Sequence, residues 1–531
     1  MKKITLFFLA LVLVAAMPLN LDAKKKSKKE KETAVFDGKA EFRGAWIQTA
    51  WQDRYQRMTP DQCKAYLTSL VDMLHQTGFN AVIFQVRPEG DAFYQSHYEP
   101  WSRFLTGKQG KAPVPQWDPM DYMIKLCHDR QMEFHAWINP YRVSTSKSLT
   151  MDRQHIYRQH PEWFVEYDNK LYFNPGLPES RAFIRSVVKD IVSRYDVDAI
   201  HMDDYFYPYP VAGKVFDDQR AFLTYAPELG IDTTQPDALS NFRRRNVDIL
   251  IKTVNEDIKF LKPWVRFGIS PFGIYRNKGS WEGGSETGGT QCYDDLYADV
   301  LLWARSGWVD YLIPQVYWEI GHRLADYSTL VKWWSDNVPA SCHLYIGQSI
   351  ERSLDGAASS ANTPSLSQSH NQFANKLSLA YSSGKVRGNC YWYAYQIEDN
   401  QFGVCDYLCQ SVFVNKALLP AYDNLDKKAP GKVKKIDATL ANHQLTLTWT
   451  VDETDDYAQR PHYFNVYRFV KGEKAKVKDC SHLIGQTNKP CFVDAIIEIP
   501  QTYTYVITAV DAFNNEGSGA KKAFKLKRSK K

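Results

Sequence analysis

The sequence lacks several patterns that mark common classes of protein. Its 531 residues contain no G-x-S-x-G turn, which counts against a serine hydrolase of the α/β type. The nine cysteines are widely spaced and form no zinc pattern. No long apolar run follows the first 23 residues, so no transmembrane segment is expected once those residues are removed.

Unbalanced charge is also scarce away from the two ends of the chain. The formal net charge is +6, but lysines cluster over residues 24–31 and again over residues 521–531. Such runs are typical of solvated tails, and no nucleic-acid-binding motif accompanies them, so we expect no nucleic-acid partner. Aromatic residues are plentiful at 14%, and surplus Trp and Tyr provide flat surfaces that suit sugar rings.

The N-terminus has the pattern of a secretory signal peptide. Lys2 and Lys3 precede an apolar stretch over residues 4–17, which small and polar residues follow. We predict a signal peptide over residues 1–23, a lysine-rich linker over 24–40, and export to the periplasm, the cell envelope or the medium. In an exported chain, Cys480 and Cys491 are candidates for a disulfide bond.

Eight short apolar runs alternate with longer segments of helical periodicity. The runs cover residues 42–49, 80–86, 133–138, 198–202, 266–270, 311–317, 343–348 and 389–395. This alternation predicts an α/β fold, a (β/α)₈ TIM barrel over residues 41–422. A doubly wound open sheet is the competing fold. It usually carries a glycine-rich phosphate turn after its first strand, and no such turn is present.

The pattern changes after a linker predicted over residues 423–435. Apolar and polar residues then alternate with period two in short segments separated by turns, which predicts a small all-β sandwich over residues 436–531. The position of Trp449, with Tyr503 or Tyr505 late in the domain, resembles the fibronectin type III pattern. We interpret these three residues as core residues.

The active site of such a barrel is built by the loops that follow the carboxyl ends of its strands. The residues at those ends are mostly carboxylates, arginines, amides and aromatics. They include Arg87, Asp91, Glu99, Asn139, Tyr141, Arg142, Asp203, Asp204, Tyr205, Tyr275, Gln315, Tyr317, Trp318 and Glu319.

Carboxylate chemistry on a hydroxyl-rich substrate fits this set. Glycoside hydrolysis uses one carboxylic acid to protonate the leaving oxygen and a second carboxylate as nucleophile or base. Asp203 and Asp204 follow a fully apolar strand, and repulsion between two like charges raises the pKa of one member of such a pair. Because adjacent strand residues point to opposite sides, we expect only one of the two aspartates to face the substrate directly. The alternative interpretation is that the two aspartates begin a solvated loop or cap a helix.

Metal chemistry is the less favoured alternative. A polysaccharide deacetylase requires histidine and aspartate ligands that converge, and His135 and His201 are candidates. Both lie inside predicted strands, where a histidine more often serves as a hydrogen-bonding spacer. We expect no metal and no cofactor.

Several long segments of this chain resemble the glycosyl-hydrolase-like 10 family of secreted bacterial proteins. They are "EFRGAWIQT", "NAVIFQVRPEGDAFYQSHYEPWSRFLTGKQG", "WDPMDYMIKLCHDRQMEFHAWINPYRVS", "FNPGLPESRAFIRSVVKDIVSRYDVDAIHMDDYFYP", "RFGISPFGIYRN" and "YLIPQVYWEIGH". Together they extend over approximately residues 40–350. The resemblance implies a barrel related to glycoside hydrolases that acts on bacterial cell-wall glycan, as peptidoglycan strands freed of their peptides.

The resemblance also assigns roles to the candidate residues. It implies Asp91, Glu99, Asp203 and Asp204 as catalytic candidates, and analogy with other barrel glycosidases adds Glu319. The predicted substrate-binding residues are Arg87, His135, Asn139, Tyr141, Arg142, Tyr205, Tyr275, Gln315, Tyr317 and Trp318.

Two functional hypotheses from different classes follow. The first is a metal-independent exported glycoside hydrolase, whose sandwich is a spacer or contacts envelope glycan or protein. The second is a carbohydrate-binding barrel without turnover, whose sugar affinity would survive removal of the carboxylates. A polysaccharide deacetylase is third.

Overall fold

The computed structural model describes residues 38–146, 149–355, 366–495, 497 and 500–526. The predicted signal peptide, residues 24–37 of the predicted lysine-rich linker, and residues 527–531 lie outside the described residues. Within the described part of the chain, no helix is both long and apolar enough to cross a membrane.

Eight parallel strands close into a barrel in the order β1-β11-β10-β9-β8-β7-β3-β2. Each of them overlaps one of the eight apolar runs, so the TIM-barrel prediction is confirmed. The strands are β1 (Phe42–Ile47), β2 (Ala81–Arg87), β3 (Glu133–Ile138), β4 (Arg142–Ser144), β5 (Phe164–Tyr167), β6 (Lys170–Phe173), β7 (Ala199–Met202), β8 (Arg266–Ile269), β9 (Tyr311–Leu312), β10 (His343–Ser349), β11 (Val386–Trp392), β12 (Lys434–Ala441), β13 (Gln444–Thr450), β14 (Tyr463–Val470), β15 (Leu483–Thr487), β16 (Cys491–Asp494), β17 (Gln501–Val510) and β18 (Ala520–Leu526).

Helices surround the barrel and occupy its loops. The α-helices are α1 (Asp53–Gln56), α2 (Pro60–Thr77), α3 (Arg103–Thr106), α4 (Pro119–His128), α5 (Pro178–Arg194), α6 (Gln219–Tyr225), α7 (Ala238–Leu261), α8 (Cys292–Asp295), α9 (Val300–Arg305), α10 (Tyr327–Asn337), α11 (Ile350–Asp355), α12 (Leu366–Ser382), α13 (Ala394–Glu398) and α14 (Val404–Tyr407). Short 3₁₀ helices cover Ile156–Arg158, Pro161–Trp163, Pro227–Leu229, Gln401–Gly403 and Tyr457–Gln459, and a π turn covers Leu408–Val412.

The ends of α2 illustrate how local sequence sets the helix boundaries. The Thr59 side chain accepts a hydrogen bond from the Gln62 backbone while the Gln62 side chain returns one to Thr59, and Pro60 takes the first helical position. Gly78 ends the helix in the left-handed region at φ 110°, where a Cβ would also come within 3.0 Å of Phe413. The sequence predicted this helix over residues 59–78.

A three-stranded antiparallel sheet, β4-β6-β5, lies in the connection between β3 and α5 and was not predicted. Its strands are only three or four residues long. The Tyr167 hydroxyl at the end of β5 accepts the Val211 N–H at 2.8 Å, which joins this sheet to the loop after β7.

The C-terminal strands form the predicted sandwich. One sheet has the order β12-β13-β16 and the other β15-β14-β17-β18. Trp449, Tyr503 and Tyr505 are all buried in its core. Strand β12 begins at Lys434, inside the segment predicted as linker; the predicted domain boundaries and the fibronectin type III assignment otherwise stay predictions.

The sandwich contacts the amino ends of the barrel strands. The Arg266 Nη1 atom, at the start of β8, donates a hydrogen bond to the Ala512 carbonyl at 2.9 Å. Asn514 Nδ2 donates to Glu133 Oε1, at the start of β3, at 2.8 Å. These contacts leave the carboxyl ends of the strands, where a barrel active site lies, clear of the sandwich.

All nine cysteines are free thiols. Cys480 is buried and donates to the Lys39 carbonyl at 3.3 Å, whereas Cys491 is exposed on β16. The disulfide bond suggested for this pair is therefore absent from the structure.

Candidate active site

A cavity of about 190 Å³ opens at the carboxyl ends of the barrel strands. Its lining consists of Trp46, Trp137, Asp203, Asp204, Tyr205, Ser270, Gln315, Tyr317 and Trp392. Larger cavities lie against the sandwich and beside α6, with about 290 Å³ and 450 Å³. Of these three cavities, the smallest is the one that lies at the carboxyl ends of several barrel strands, so we take it as the candidate active site.

Three tryptophans form the aromatic wall of this cavity, one each from β1, β3 and β11. Trp46 and Trp137 are the penultimate residues of their strands, and Trp392 is the last residue of β11. The Trp392 ring meets both others edge-on, with centroids 6.2 Å from Trp46 and 6.1 Å from Trp137. The wall therefore offers several aromatic faces and edges to a ligand of sugar size.

Three N–H groups fix the Asp203 carboxylate. Trp137 Nε1 donates to Oδ2 at 3.0 Å and Asn139 Nδ2 donates to it at 3.1 Å, while the Tyr205 backbone N–H also donates to this carboxylate. Burial raises the pKa of Asp203, but these hydrogen bonds and the charge of Arg142 oppose the rise. The three donors hold the carboxylate in one orientation and stabilise its charged form against the burial that raises its pKa.

Asp204 has a different environment. Burial is the larger cause that raises its pKa to about 7, and the negative charge of Asp203 is the next. The Tyr209 hydroxyl donates to Oδ2 and the Gln315 amide also hydrogen-bonds the carboxyl group. At neutral pH a large fraction of Asp204 is therefore protonated, beside a neighbour whose hydrogen bonds favour the charged form.

Both aspartates line the cavity, whereas the sequence predicted that only one would face it. That prediction assumed strand geometry, in which successive side chains point to opposite sides. Strand β7 ends at Met202, so the alternation does not extend to Asp203 and Asp204.

A chain of hydrogen bonds runs through the barrel interior below the cavity. Trp46 Nε1 donates to His201 Nε2 at 3.3 Å, so the neutral ring carries its proton on Nδ1, which faces the Tyr311 hydroxyl at 3.1 Å. That hydroxyl lies 2.8 Å from His135 Nδ1, whose Nε2 meets Glu133 at 2.9 Å.

Gly268 makes room for the Tyr311 ring that takes part in this series of hydrogen bonds, since a Cβ at position 268 would lie 1.9 Å from the ring. Burial, followed by the charge of His135, holds the pKa of His201 well below its usual value. Both strand histidines are thus hydrogen-bonding spacers, and His135 does not line the cavity.

The second-strand loop does not deliver its predicted carboxylates to the cavity. Glu99 forms a buried ion pair with Arg87, whose Nε and Nη2 atoms donate to it at 2.6–2.9 Å. Asp91 is fully buried, accepts a hydrogen bond from Gln109 at 3.1 Å, and has a pKa raised to about 7 by burial and by Glu89. These residues stabilise the loop from within.

Comparison with known proteins assigns the chain to a family. The family model described as Glycosyl hydrolase-like 10 matches residues 41–362. The chain belongs to the glycosyl hydrolase-like 10 family.

Two curated relatives of this family member carry the name glycosyl hydrolase. YngK of Bacillus subtilis strain 168 is 36% identical over 500 residues, which cover 91% of this chain and 93% of YngK. DigH of Escherichia coli K12 is 38% identical over 288 residues, covering 52% of this chain and 63% of DigH. Among solved structures, the PgaB (BpsB) glycoside hydrolase domain from Bordetella bronchiseptica matches with a TM-score of 0.48 and 11% identity, over 70% of this chain and 99% of that domain.

Several other predicted residues of this glycosyl hydrolase-like 10 chain do not line the cavity. Tyr141 is fully buried, the Tyr275 hydroxyl donates to Asp299 at 2.8 Å, and the Trp318 ring packs edge-on against Phe272. Glu319 is half-buried, and its charge opposes the burial that lowers the pKa of Lys376 to about 7.

Sequence reasoning missed three tryptophans that lie within strands and a tyrosine that lies further along the loop after β7. Trp46, Trp137 and Trp392 belong to strands, and Tyr209 follows Asp204 by five positions. A signal for two of them was present, because "AWI" ends both β1 and β3 and places a tryptophan at the same position of each strand.

Arg142 contacts two aromatic rings beside the cavity, and one of them, Tyr205, belongs to the cavity lining. The Arg142 guanidinium carbon lies 5.1 Å from the Trp51 ring centroid and 5.0 Å from that of Tyr205. Trp51 is 56% exposed and adopts φ 57°, a left-handed conformation that costs a bulky residue about 1–3 kcal/mol. The backbone thus holds an exposed indole ring against the Arg142 side chain.

Within the residues that the structure describes, no group of three or more His, Cys, Asp or Glu side chains is arranged to hold a metal ion. The expectation of a metal-independent site stays a prediction.

Proposed function

We propose that this protein is an exported glycoside hydrolase that cleaves amino-sugar glycan of the bacterial cell wall, in the form of peptidoglycan strands freed of their peptides. One observation carries the proposal: two adjacent aspartates line an aromatic cavity at the carboxyl ends of the barrel strands, one held by three N–H donors and the other buried so that its pKa rises to about 7. Membership of a glycosyl-hydrolase-like family and the names of YngK and DigH support it.

Asp204 is the proposed general acid. Cleavage of a glycosidic bond requires a proton on the leaving oxygen, and an acid whose pKa lies near the working pH supplies it most efficiently. The pKa of about 7 meets this condition. Tyr209 and Gln315 hold the carboxyl group in place by hydrogen bonds.

Asp203 is the proposed anionic partner. The sugar ring gains positive charge as the bond breaks, and a fixed carboxylate stabilises that charge without having to reorient. The hydrogen bonds from Trp137 and Asn139 provide this fixed orientation. The tryptophan wall would bind the apolar faces of the sugar rings.

The localisation and the sandwich belong to the same proposal. The N-terminal signal pattern supports export to the periplasm or envelope. Because the sandwich contacts the opposite end of the barrel from the cavity, a spacer or an envelope contact suits it better than a share in catalysis.

The test is digestion of peptide-free and intact peptidoglycan by the purified protein, with soluble products analysed by mass spectrometry. We expect oligosaccharides from the peptide-free glycan with wild type and none with Asp204→Asn. Asp53→Asn, which alters an exposed carboxylate on α1, is the matched control and should digest like wild type.

Other outcomes favour the competing hypotheses. Retention of glycan by wild type without any product would favour the carbohydrate-binding protein. Release of acetate from an otherwise intact glycan, abolished by a chelator, would favour the deacetylase.

A further inference from the structure

Arg142 is a buried cation whose charge acts on Asp203, although no hydrogen bond or ion pair joins the two side chains. It is 5% exposed, and its guanidinium group forms no ion pair with any residue that the structure describes. Its Nε and Nη2 atoms make only long hydrogen bonds, of 3.4 Å and 3.3 Å, to the Pro88 carbonyl. Burial of a charge without a partner is costly, so such a group needs an explanation.

The neighbouring arginines differ in this respect. Arg87 is paired with Glu99, Arg103 with Glu89 and Arg54 with Glu398. All three are satisfied within the protein. Arg142 instead contacts Trp51 and Tyr205, of which Tyr205 lines the cavity, and its charge acts on Asp203.

A guanidinium group held between two aromatic rings suits the recognition of a carboxylate. Its planar fork of N–H groups matches a carboxylate, and the ring contacts keep it oriented. Two aspartates already line the cavity and would repel an anionic ligand unless a cation offset them.

We propose that Arg142 binds the lactyl carboxylate of N-acetylmuramic acid and thereby selects muramic-acid glycan that bears no peptide. This inference rests on the proposed function. N-acetylglucosamine has no carboxylate, and a stem peptide converts the lactyl carboxylate into an uncharged amide. A single cation beside the cavity can therefore discriminate against both kinds of glycan.

The test measures binding in the full-length Asp204→Asn protein, which blocks turnover. The ligands are a peptide-free oligosaccharide of alternating N-acetylglucosamine and N-acetylmuramic acid, and the same oligosaccharide with its lactyl carboxylates converted to methylamides. By calorimetry we expect the free acid to bind about 10- to 100-fold more tightly, as befits one charge-assisted contact. Arg142→Gln should reduce this preference to within about twofold, and Arg142→Lys should keep part of it.

Arg352→Gln is the matched control. Arg352 also has no ion pair among the described residues, and its charge acts on Tyr317 in the cavity. Loss of the preference in Arg352→Gln but not in Arg142→Gln would overturn the assignment. Equal affinity for acid and amide would overturn it too while leaving the glycan function intact, and failure to bind either ligand would refute both.

Discussion

The Asp204 carboxyl group should make the stability of the protein depend on pH. Its pKa is about 7 in the folded state against an ordinary value of 3.8, which applies to the unfolded chain. Between these two values the folded state holds a proton that the unfolded state has released. Stability from this group is therefore fully present below about pH 4 and is lost as the pH rises through about 7.

Asp204→Asn removes this titration because an amide does not ionise in this range. From the two pKa values, ionisation of Asp204 lowers the free energy of unfolding of the wild type by at most about 4 kcal/mol at pH 8 and by about 1–2 kcal/mol at pH 5. The difference in free energy of unfolding between the variant and the wild type should therefore increase by about 2–3 kcal/mol, in favour of the variant, from pH 5 to pH 8. Any constant effect of the amide cancels in this difference.

The assay is urea unfolding of both proteins at pH 5 and at pH 8, followed by tryptophan fluorescence. Asp53→Asn provides the control for a change at an exposed carboxylate. A stability difference between Asp204→Asn and wild type that is the same at both pH values would refute the raised pKa, and with it the assignment of Asp204 as an acid at neutral pH.

Three further results are expected. Glu99→Gln should lower the free energy of unfolding by about 3–5 kcal/mol in urea titrations, because it breaks a buried ion pair with Arg87, while the activity per folded molecule falls less than about tenfold. In the wild type, kcat/KM on peptide-free glycan should fall above about pH 7 as Asp204 loses its proton, and a profile flat to pH 9 would contradict this. Asn139→Ala should lower kcat about 10- to 100-fold with little change in KM, because it removes a donor that fixes Asp203. A rise in KM of the same size with kcat unchanged would indicate instead that Asn139 contributes only to substrate binding.

The barrel could be predicted from the sequence because its strands are buried on both faces. Such strands appear as continuous apolar runs, and all eight were identified. Their lengths were less predictable. The run over residues 311–317 gives only the two-residue strand β9, since Pro314 has no N–H to continue the ladder, although Gln315 still bridges to Phe272 and Gly347.

The candidate site was predictable only in part. Asp203, Asp204, Tyr205, Gln315 and Tyr317 follow strands directly, so the position of the strand end fixes them near the cavity. Residues further along a loop depend on how that loop folds.

Glu99 shows this dependence clearly. It lies twelve positions after Arg87 and folds back onto that side chain. No pattern in the sequence indicates that the arginine at the end of β2 is buried and takes a carboxylate from its own loop. The short β4-β6-β5 sheet was missed for a similar reason, since strands of three or four residues carry too little alternation to detect.

The role of Asp204 as general acid can be tested most directly with two substrates that differ in leaving group. Peptide-free glycan needs a proton on its leaving oxygen, whereas a dinitrophenyl glycoside of the same sugar has a leaving group that departs without one. We predict that Asp204→Asn lowers kcat/KM on the glycan about 10²- to 10⁴-fold and on the dinitrophenyl glycoside less than about tenfold. An equal loss on both substrates, or no loss on the glycan, would contradict the account.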